Sequence, residues 1–562
     1  MYDPAGRLID HYYIAAAVSI ANSQIKKISK AMAQEAKRQV TGLKMPHYPS
    51  PYLVSYNLRD VETWRIWGRL GSINVDSYKH SRGAFCDIRV GSYTFDQVED
   101  GGLFDNDDDA ESREHIGLPL GSDADAIRYH LWKLSDIRYR EAISAYLDKR
   151  SRLVKMRKRE DIDSFKKREQ TIDLIPMPTT ELDHDYWSHF VKTASRTMKS
   201  YPDVIHSNVD FYKSRCQRIF VDSTGHIVTE GFETFELSAF VWCLTSTGEQ
   251  ISQRIGYMEM SESKLPSLNT FIAAIRLAIK RLRILATAPV IQSYAGPVLL
   301  APGPAGILFH EVIGHRLEGS RLLSNDEGQT FAHDLGRQIL PTGISIIDDP
   351  TRHESDGTPL AGSYTYDDEG TKASPVQLVE HGVLKNFLST RSPLPKKQPR
   401  PFGGHARAVR ANRPISRMAN LHICSADGCG HNTLIKMLID EVRKTNKEYG
   451  ILVLDAEGGE TATDSYDFQA FMGEVSLAAQ VWKNGKINLI RNINFVGTPL
   501  SVINEFVATG NSLFRQNSYC GAESGMIPVS TTSPALLLRN LELQSQDQNR
   551  YKSYILPMPH HS

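Results

Sequence analysis

Six consecutive residues, His310-Glu311-Val312-Ile313-Gly314-His315, place two imidazoles and a carboxylate in one apolar stretch, the equipment of a zinc hydrolase. In the familiar HExxH arrangement the histidines stand four residues apart, roughly 40° around a regular helix and one turn up, so both nitrogens reach one metal. Here the spacing is HExxxH. Five residues at about 100° each leave the two side chains roughly 140° apart on an ideal helix, too divergent to chelate one ion. The motif therefore requires a distorted helix. A π-bulge, the single-turn i→i+5 widening that recurs at functional sites, would bring His310 and His315 onto one face, and Gly314 tolerates it.

Two histidines among the 19 of this chain are by themselves ordinary polar positions, and an HExxxH string also arises by chance. The surroundings add weight. Val298-Leu299-Leu300 reads as a short buried strand, Ala301-Pro302-Gly303-Pro304 breaks it, and helical residues resume from Ala305 to His315, an order that delivers a rigid helix into a cleft. A catalytic zinc takes three protein ligands and keeps a fourth position for water. Two residues qualify as the third ligand: Glu318, three positions past His315, and Cys520, in an Asn517-Ser518-Tyr519-Cys520-Gly521 segment read as a loop. Spacing does not decide between them. Cys424 and Cys429, with His422 and His431 nearby, offer a weaker second metal site, since no further thiolates follow.

At 562 residues and 41% hydrophobic composition the chain can bury a large core and divides into roughly two to four domains. Lys+Arg and Asp+Glu both total 65, so no global field favours nucleic acid or an acidic membrane surface. Six widely spaced cysteines argue against a disulfide scaffold and fit a reducing compartment. No run approaches the eighteen or so apolar residues that span a bilayer. The apolar stretch from Tyr12 to Ala21 follows Asp3, Arg7 and Asp10 rather than the positive start of an export signal, so a cytoplasmic location is expected.

The elements that must position the motif follow from periodicity. Ile25, Ile28, Met32, Ala36 and Val40 mark a helical lead-in, ended by Pro46, Pro49 and Pro51. Strand patterns follow at 52–56 and 84–91, then an acidic loop over 99–114, then a long helix with Asp123 as N-cap and a basic continuation over 149–167. Strands return between 218 and 247, and residues 268–286 form an amphipathic helix. Beyond the motif the pattern is largely β with loops, and Asn484-Gly485 marks a hairpin. The expected class is α+β in two parts: a lead-in (1–45), an N-terminal mixed sheet with long helices (46–290), a β-rich catalytic part (291–545) and a tail (546–562).

His310 to Gly319 (HEVIGHRLEG), Gly296 to Leu299, Arg413 to Leu421 (RPISRMANL) and the Cys520-Gly521 segment followed by Pro528-Val529 together resemble the TldD/PmbA metalloprotease family, over most of residues 30–545. The resemblance implies Zn²⁺ bound by His310, His315 and Cys520, with Glu311 as general base, as in the TldD-like catalytic subunit. It implies short or unstructured peptides as substrates, held extended between two subunits by β-strand addition, and either a homodimer or a heterodimer with a PmbA-type subunit that lacks the metal motif. Arg316 and Ser320 stand where Gly and Asp are expected, and the N-terminal region and the helix after 123 are longer than in compact members. These departures bear on substrate preference and pairing more than on chemistry. A thiolate donates more charge than a neutral ligand, so a weaker Lewis acid and an oxidisable site are expected. The alternative class is a non-catalytic peptide-binding or assembly subunit, against which the intact HExxxH and Cys520 argue. Gly404 and His405, in the Gly403-to-Arg407 loop, are candidates to line the substrate cleft.

Overall fold

The structure, a computed structural model, describes residues 11–99, 102–103, 117–156, 163–177, 179–324, 326–394, 403–409, 412–465, 469–546 and 550–552. Most of the acidic run at 99–114, the middle of the basic run and most of the tail lie outside the described residues.

The N-terminal half is built on one sheet. After helix α1 (His11–Gly42), strands β1 (Pro51–Arg69) and β2 (Ser72–Val90) form a long hairpin. Helix α2 (Ala124–Met156) follows, its first turn capped by Asp123 Oδ1 accepting from the Ala126 N–H at 2.8 Å. Then come β3 (Ile172–Leu174), α3 (His184–Arg196), β4 (His206–Asp222), β5 (Ile227–Leu244), β6 (Gln250–Glu259) and α4 (Leu268–Thr287). The strand order is β2-β1-β4-β5-β3, with β6 also on β5.

Side chains alternate between the faces of a strand, and here the two faces have different partners. Val54, Tyr56 and Leu58 of β1 and Ile219 of β4 pack under α1 and α2 against Ile28, Met32, Ile127 and Leu131. Farther along the same face, Phe211, Phe235 and Leu237 meet Trp187 and Phe190 of α3 and Phe271 and Ile275 of α4. The opposite face carries Asn57, Arg59 and Val61 of β1 with Ser214, Cys216 and Arg218 of β4, and it meets the C-terminal half, where Arg59 and Arg218 pair with Asp368.

The C-terminal half begins with β7 (Ser293–Leu300) and α5 (Pro302–Phe309) and continues through β8 (Ile344–Asp348), β9 (Val376–Glu380), β10 (Asn420–Ser425), α6 (His431–Lys444), β11 (Tyr449–Thr461), β12 (Phe471–Trp482), β13 (Ile487–Ile490), β14 (Ile493–Gly497), β15 (Phe506–Cys520) and β16 (Ile527–Ser545). Strands β16, β14, β12, β11 and β7 pair in that order, and β7 pairs back to β16, which closes a ring. Strands β10 and β15 also pair with β16. The turn at Asn484-Gly485 joins β12 to β13, with Gly485 at φ 84°.

Two readings of the sequence need correction, and a long strand joins those the patterns show. Residues 506–520, including the segment read as a loop, form β15, and Cys520 is its last residue. The stretch around Pro528 and Pro534 is the 19-residue β16; the β15 partner slips register between Thr509 and Leu513, beside Pro534, where a missing N–H is tolerated. Helix α6 interrupts a region read as strands and loops. Its residues Leu434 and Leu438 pack against Leu299, Leu452 and Leu537, with Ile435, Met437 and Ile439 partly buried beside them, and this apolar face recurs at helical spacing.

Candidate metal centre

The helix that opens at Pro302 carries proline in its first turn, where the missing N–H costs nothing, and runs straight off β7. At Phe309 it widens. Residues His310–Gly314 form a π-helical turn, closed by the His315 N–H donating to the His310 carbonyl. That extra residue per turn turns His315 toward His310, and the two rings stand 4.9 Å apart at 85°. Gly314 is required for closeness rather than for dihedral freedom, since a Cβ there would fall 2.1 Å from Met418 Sδ.

Cys520 arrives from β15 to complete the group. Its Sγ lies 3.1 Å from His310 Nε2 and 3.4 Å from His315 Nε2, and one donor atom from each residue falls within 4.8 Å of the others. Donors bound to one zinc at about 2.0 Å (nitrogen) and 2.3 Å (sulfur) with tetrahedral angles stand roughly 3.5 Å apart, so the set fits zinc in chemistry and in span. Among the described residues this is the sole group of three or more His, Cys, Asp or Glu able to hold an ion. Cys424 is exposed, Cys429 is half-buried, and neither joins such a group.

Glu311 sits in the same π turn, its Oε2 3.9 Å from His315 Nε2. Gly459 of β11 leaves it room; a Cβ there would lie 2.9 Å from Glu311 Cγ. A cleft of about 450 Å³ opens over His310, Glu311, His315 and Cys520, flanked by Glu457 and Tyr519.

Glu318, the rival third ligand, faces the other side of the ring. Its Oε2 is 3.1 Å from His315 Nδ1, which fixes the tautomer that leaves Nε2 free for a metal. Arg321 donates to the same oxygen at 3.3 Å, and Arg417 Nε stands 3.4 Å from Oε1. Burial raises the Glu318 carboxyl, but His315, Arg321 and Arg417 outweigh it and hold it down to about 2. Arg417 also donates through Nη2 to the Cys520 carbonyl at 2.8 Å and to its Sγ at 3.2 Å. One buried guanidinium thus touches the thiol and the carboxylate that orients His315. Arg417 was visible in the sequence only as part of the RPISRMANL resemblance, because nothing in its spacing connects it to position 520.

Burial pushes the Cys520 thiol up, yet His315, Arg417 and His310 together hold it well below its usual range. The histidines respond in kind: burial lowers both, and Cys520 raises both, with Glu318 adding to the rise at His315. A metal held by these atoms would compete with protons for them, so its affinity would depend on pH.

Gly404 and His405 do not line a cleft. His405 is 0% exposed, with Nε2 3.1 Å from Asp348 Oδ1; the Gly404 N–H donates to Asp367 Oδ2 at 2.9 Å and its carbonyl accepts from Tyr364 Oη at 2.8 Å. Gly403 and Gly404, at φ 87° and 90°, turn the chain into the interior, where Asp348, Asp367 and Tyr364 hold it.

Residues 293–545 match the PmbA/TldA metallopeptidase C-terminal domain. The chain is 30% identical over 246 residues to a metalloprotease of Archaeoglobus fulgidus, covering 43% of this chain and 51% of that one. It is 24% identical over 356 residues to a zinc metalloprotease TldD homolog of Saccharolobus solfataricus, covering 62% and 71%. This chain therefore spans about half the length of the Archaeoglobus relative. Among solved structures, TldE from Thermococcus kodakarensis superposes with a TM-score of 0.54 at 12% identity, covering 88% of this chain and 97% of that one, which is a likeness of fold.

Proposed function

This chain belongs to the TldD/PmbA family, and on that premise we propose that it is a zinc-dependent peptidase acting on short or unstructured peptides. The observation that supports this most is the convergence of His310, His315 and Cys520 on one point beside Glu311. In this reading His310 Nε2, His315 Nε2 and Cys520 Sγ hold the ion. When bound, the ion supplies Lewis acidity toward a carbonyl oxygen and toward water. Glu311 takes the proton from the attacking water and returns it to the departing amine. Glu318 keeps the His315 ring in its donor orientation, and Arg417 offsets the charge of the thiolate, which moderates the loss of Lewis acidity that a sulfur ligand brings. The peptide lies extended in the cleft over the donor atoms, held by main-chain bonds to strand edges. A second subunit of the same fold, either another copy or a metal-free sibling, belongs to this reading as the family resemblance implies it.

Two substitutions test the reading. Glu311→Gln should retain about one zinc per chain by elemental analysis while peptide cleavage, followed by mass spectrometry, falls by about 10²-fold or more. Cys520→Ala should lose the zinc itself. Undiminished turnover in the first variant would remove the proposed base, and full zinc occupancy in the second would remove the proposed ligand.

A further inference from the structure

A second and larger cavity, about 680 Å³, lies between the inner face of the N-terminal sheet and the C-terminal half. It adjoins the metal cleft: Tyr519 and Met526 line both. Tyr519 is the residue before Cys520 on β15, and its Oη donates to Glu236 Oε1 of β5 at 3.0 Å, so it stands as a partition tied to the N-terminal sheet.

The charges around this cavity already have partners. Asp368 takes Arg59 and Arg218, and its Oδ2 accepts from the Ala408 N–H at 2.8 Å. Arg218 also pairs with Glu230 at 2.6 Å, and Glu230 accepts from the Thr365 N–H at 2.7 Å. Arg407 donates to the carbonyls of Met418 and Pro528, each at 2.7 Å. Glu236 is engaged by Tyr519. With these groups committed, what remains to meet a ligand is largely apolar and aromatic: Val61 and Phe232 from the sheet, Tyr364 and Met526 from the other side. The volume lies within the usual range for ligand pockets, roughly 300–1,000 Å³, and exceeds what a single small side chain would fill.

We propose that this cavity is the side-chain subsite of the enzyme, taking a bulky apolar or aromatic residue of the peptide whose neighbouring bond lies over His310, His315 and Cys520. The proposal rests on the peptidase reading above and deepens it. Continuity through Tyr519 and Met526 supplies the occupant: a peptide laid along the metal cleft has the mouth of the cavity beside it. A charged side chain would lose its hydration there without gaining a free counter-charge, so the subsite selects for burial rather than for charge.

The test uses the zinc-loaded full chain and a set of matched peptides in which one position at a time around the scissile bond is Phe, Ala or Asp. The expected result is one position at which Phe exceeds Ala by about tenfold or more in kcat/KM and Asp falls below both. Val61→Trp, which fills the cavity from β1, should bring the Phe-to-Ala ratio to within about twofold. Val61→Ala, which enlarges it, should shift the optimum toward Trp, and this second variant decides the matter if the first fails to fold. Cleavage without side-chain preference, or a preference untouched by both variants, overturns the subsite. If the wild-type chain cuts none of the peptides, the peptidase reading fails by itself. The cavity is then probed by saturation-transfer NMR with N-acetyl-phenylalaninamide against N-acetyl-alaninamide: selective binding lost in Val61→Trp keeps the subsite, and no binding removes it as well.

Discussion

Two buried histidines, one in each half of the molecule, are driven in opposite directions. His226, at the head of β5, is 1% exposed; its Nδ1 accepts from the Thr171 N–H at 2.9 Å, and burial with Arg168 pushes it down to about 4 against the pull of Asp222. His315 is 5% exposed, yet Cys520 and Glu318 overcome burial and raise it well above its usual value. The difference separates architecture from function. In the N-terminal half a buried histidine stays neutral and completes a backbone hydrogen bond. In the C-terminal half, anionic donors are gathered around imidazoles more closely than folding requires, and a cation is what would use them. The same contrast holds for arginine. Arg59 and Arg218 end on Asp368 and fasten one half to the other, whereas Arg417 ends on a thiol and on the carboxylate behind a histidine.

Asp368 offers the largest break in this comparison. Asp368→Ala leaves Arg59 and Arg218 buried without their shared counter-ion, which costs about 3–5 kcal/mol, and urea unfolding should show that loss. Zinc affinity of the folded fraction should stay near the wild-type value, because no atom of Asp368 touches the donor set. Glu318→Gln should show the reverse pattern. It keeps shape and burial but weakens the hold on His315 Nδ1, so zinc affinity by chelator competition should fall by about 10–100-fold, or roughly 1.4–2.8 kcal/mol, with a smaller change in unfolding. Equal effects of the two variants on both readouts would erase the distinction drawn here.

How much of this was legible in the sequence depended on the range of the interactions. The π turn followed from arithmetic on two histidines, because a five-residue spacing has one helical solution that converges them. The N-cap at Asp123 and the hairpin at Asn484-Gly485 are local and were readable for the same reason. Cys520 arrives from 205 residues beyond His315, and spacing left it level with Glu318; only the family resemblance chose between them. Glu318 stayed open as a ligand candidate because sequence does not say which imidazole nitrogen a neighbour faces; it lies on the Nδ1 side of His315. Gly404 and His405 looked like an open Gly-rich loop, but positive-φ glycines turn a chain inward as readily as outward. Strand β16 went unread because a strand covered on both faces, as it is over much of its length, loses the alternation by which strands are recognised.

The smallest expected effect tests the N-terminal side of the comparison through pH. A histidine whose folded value lies below its unfolded 6.5 binds fewer protons folded than unfolded between those limits, so acidification through that window favours the unfolded chain. The stability that neutral His226 contributes is present above pH 6.5 and is lost progressively as pH falls toward about 4. His226→Gln keeps a polar side chain at Thr171 and removes the titration, so the denaturant midpoint should fall less steeply across that window than in the wild type. An unchanged slope would mean that His226 is charged in the fold, and the contrast with His315 would then be one of degree rather than direction.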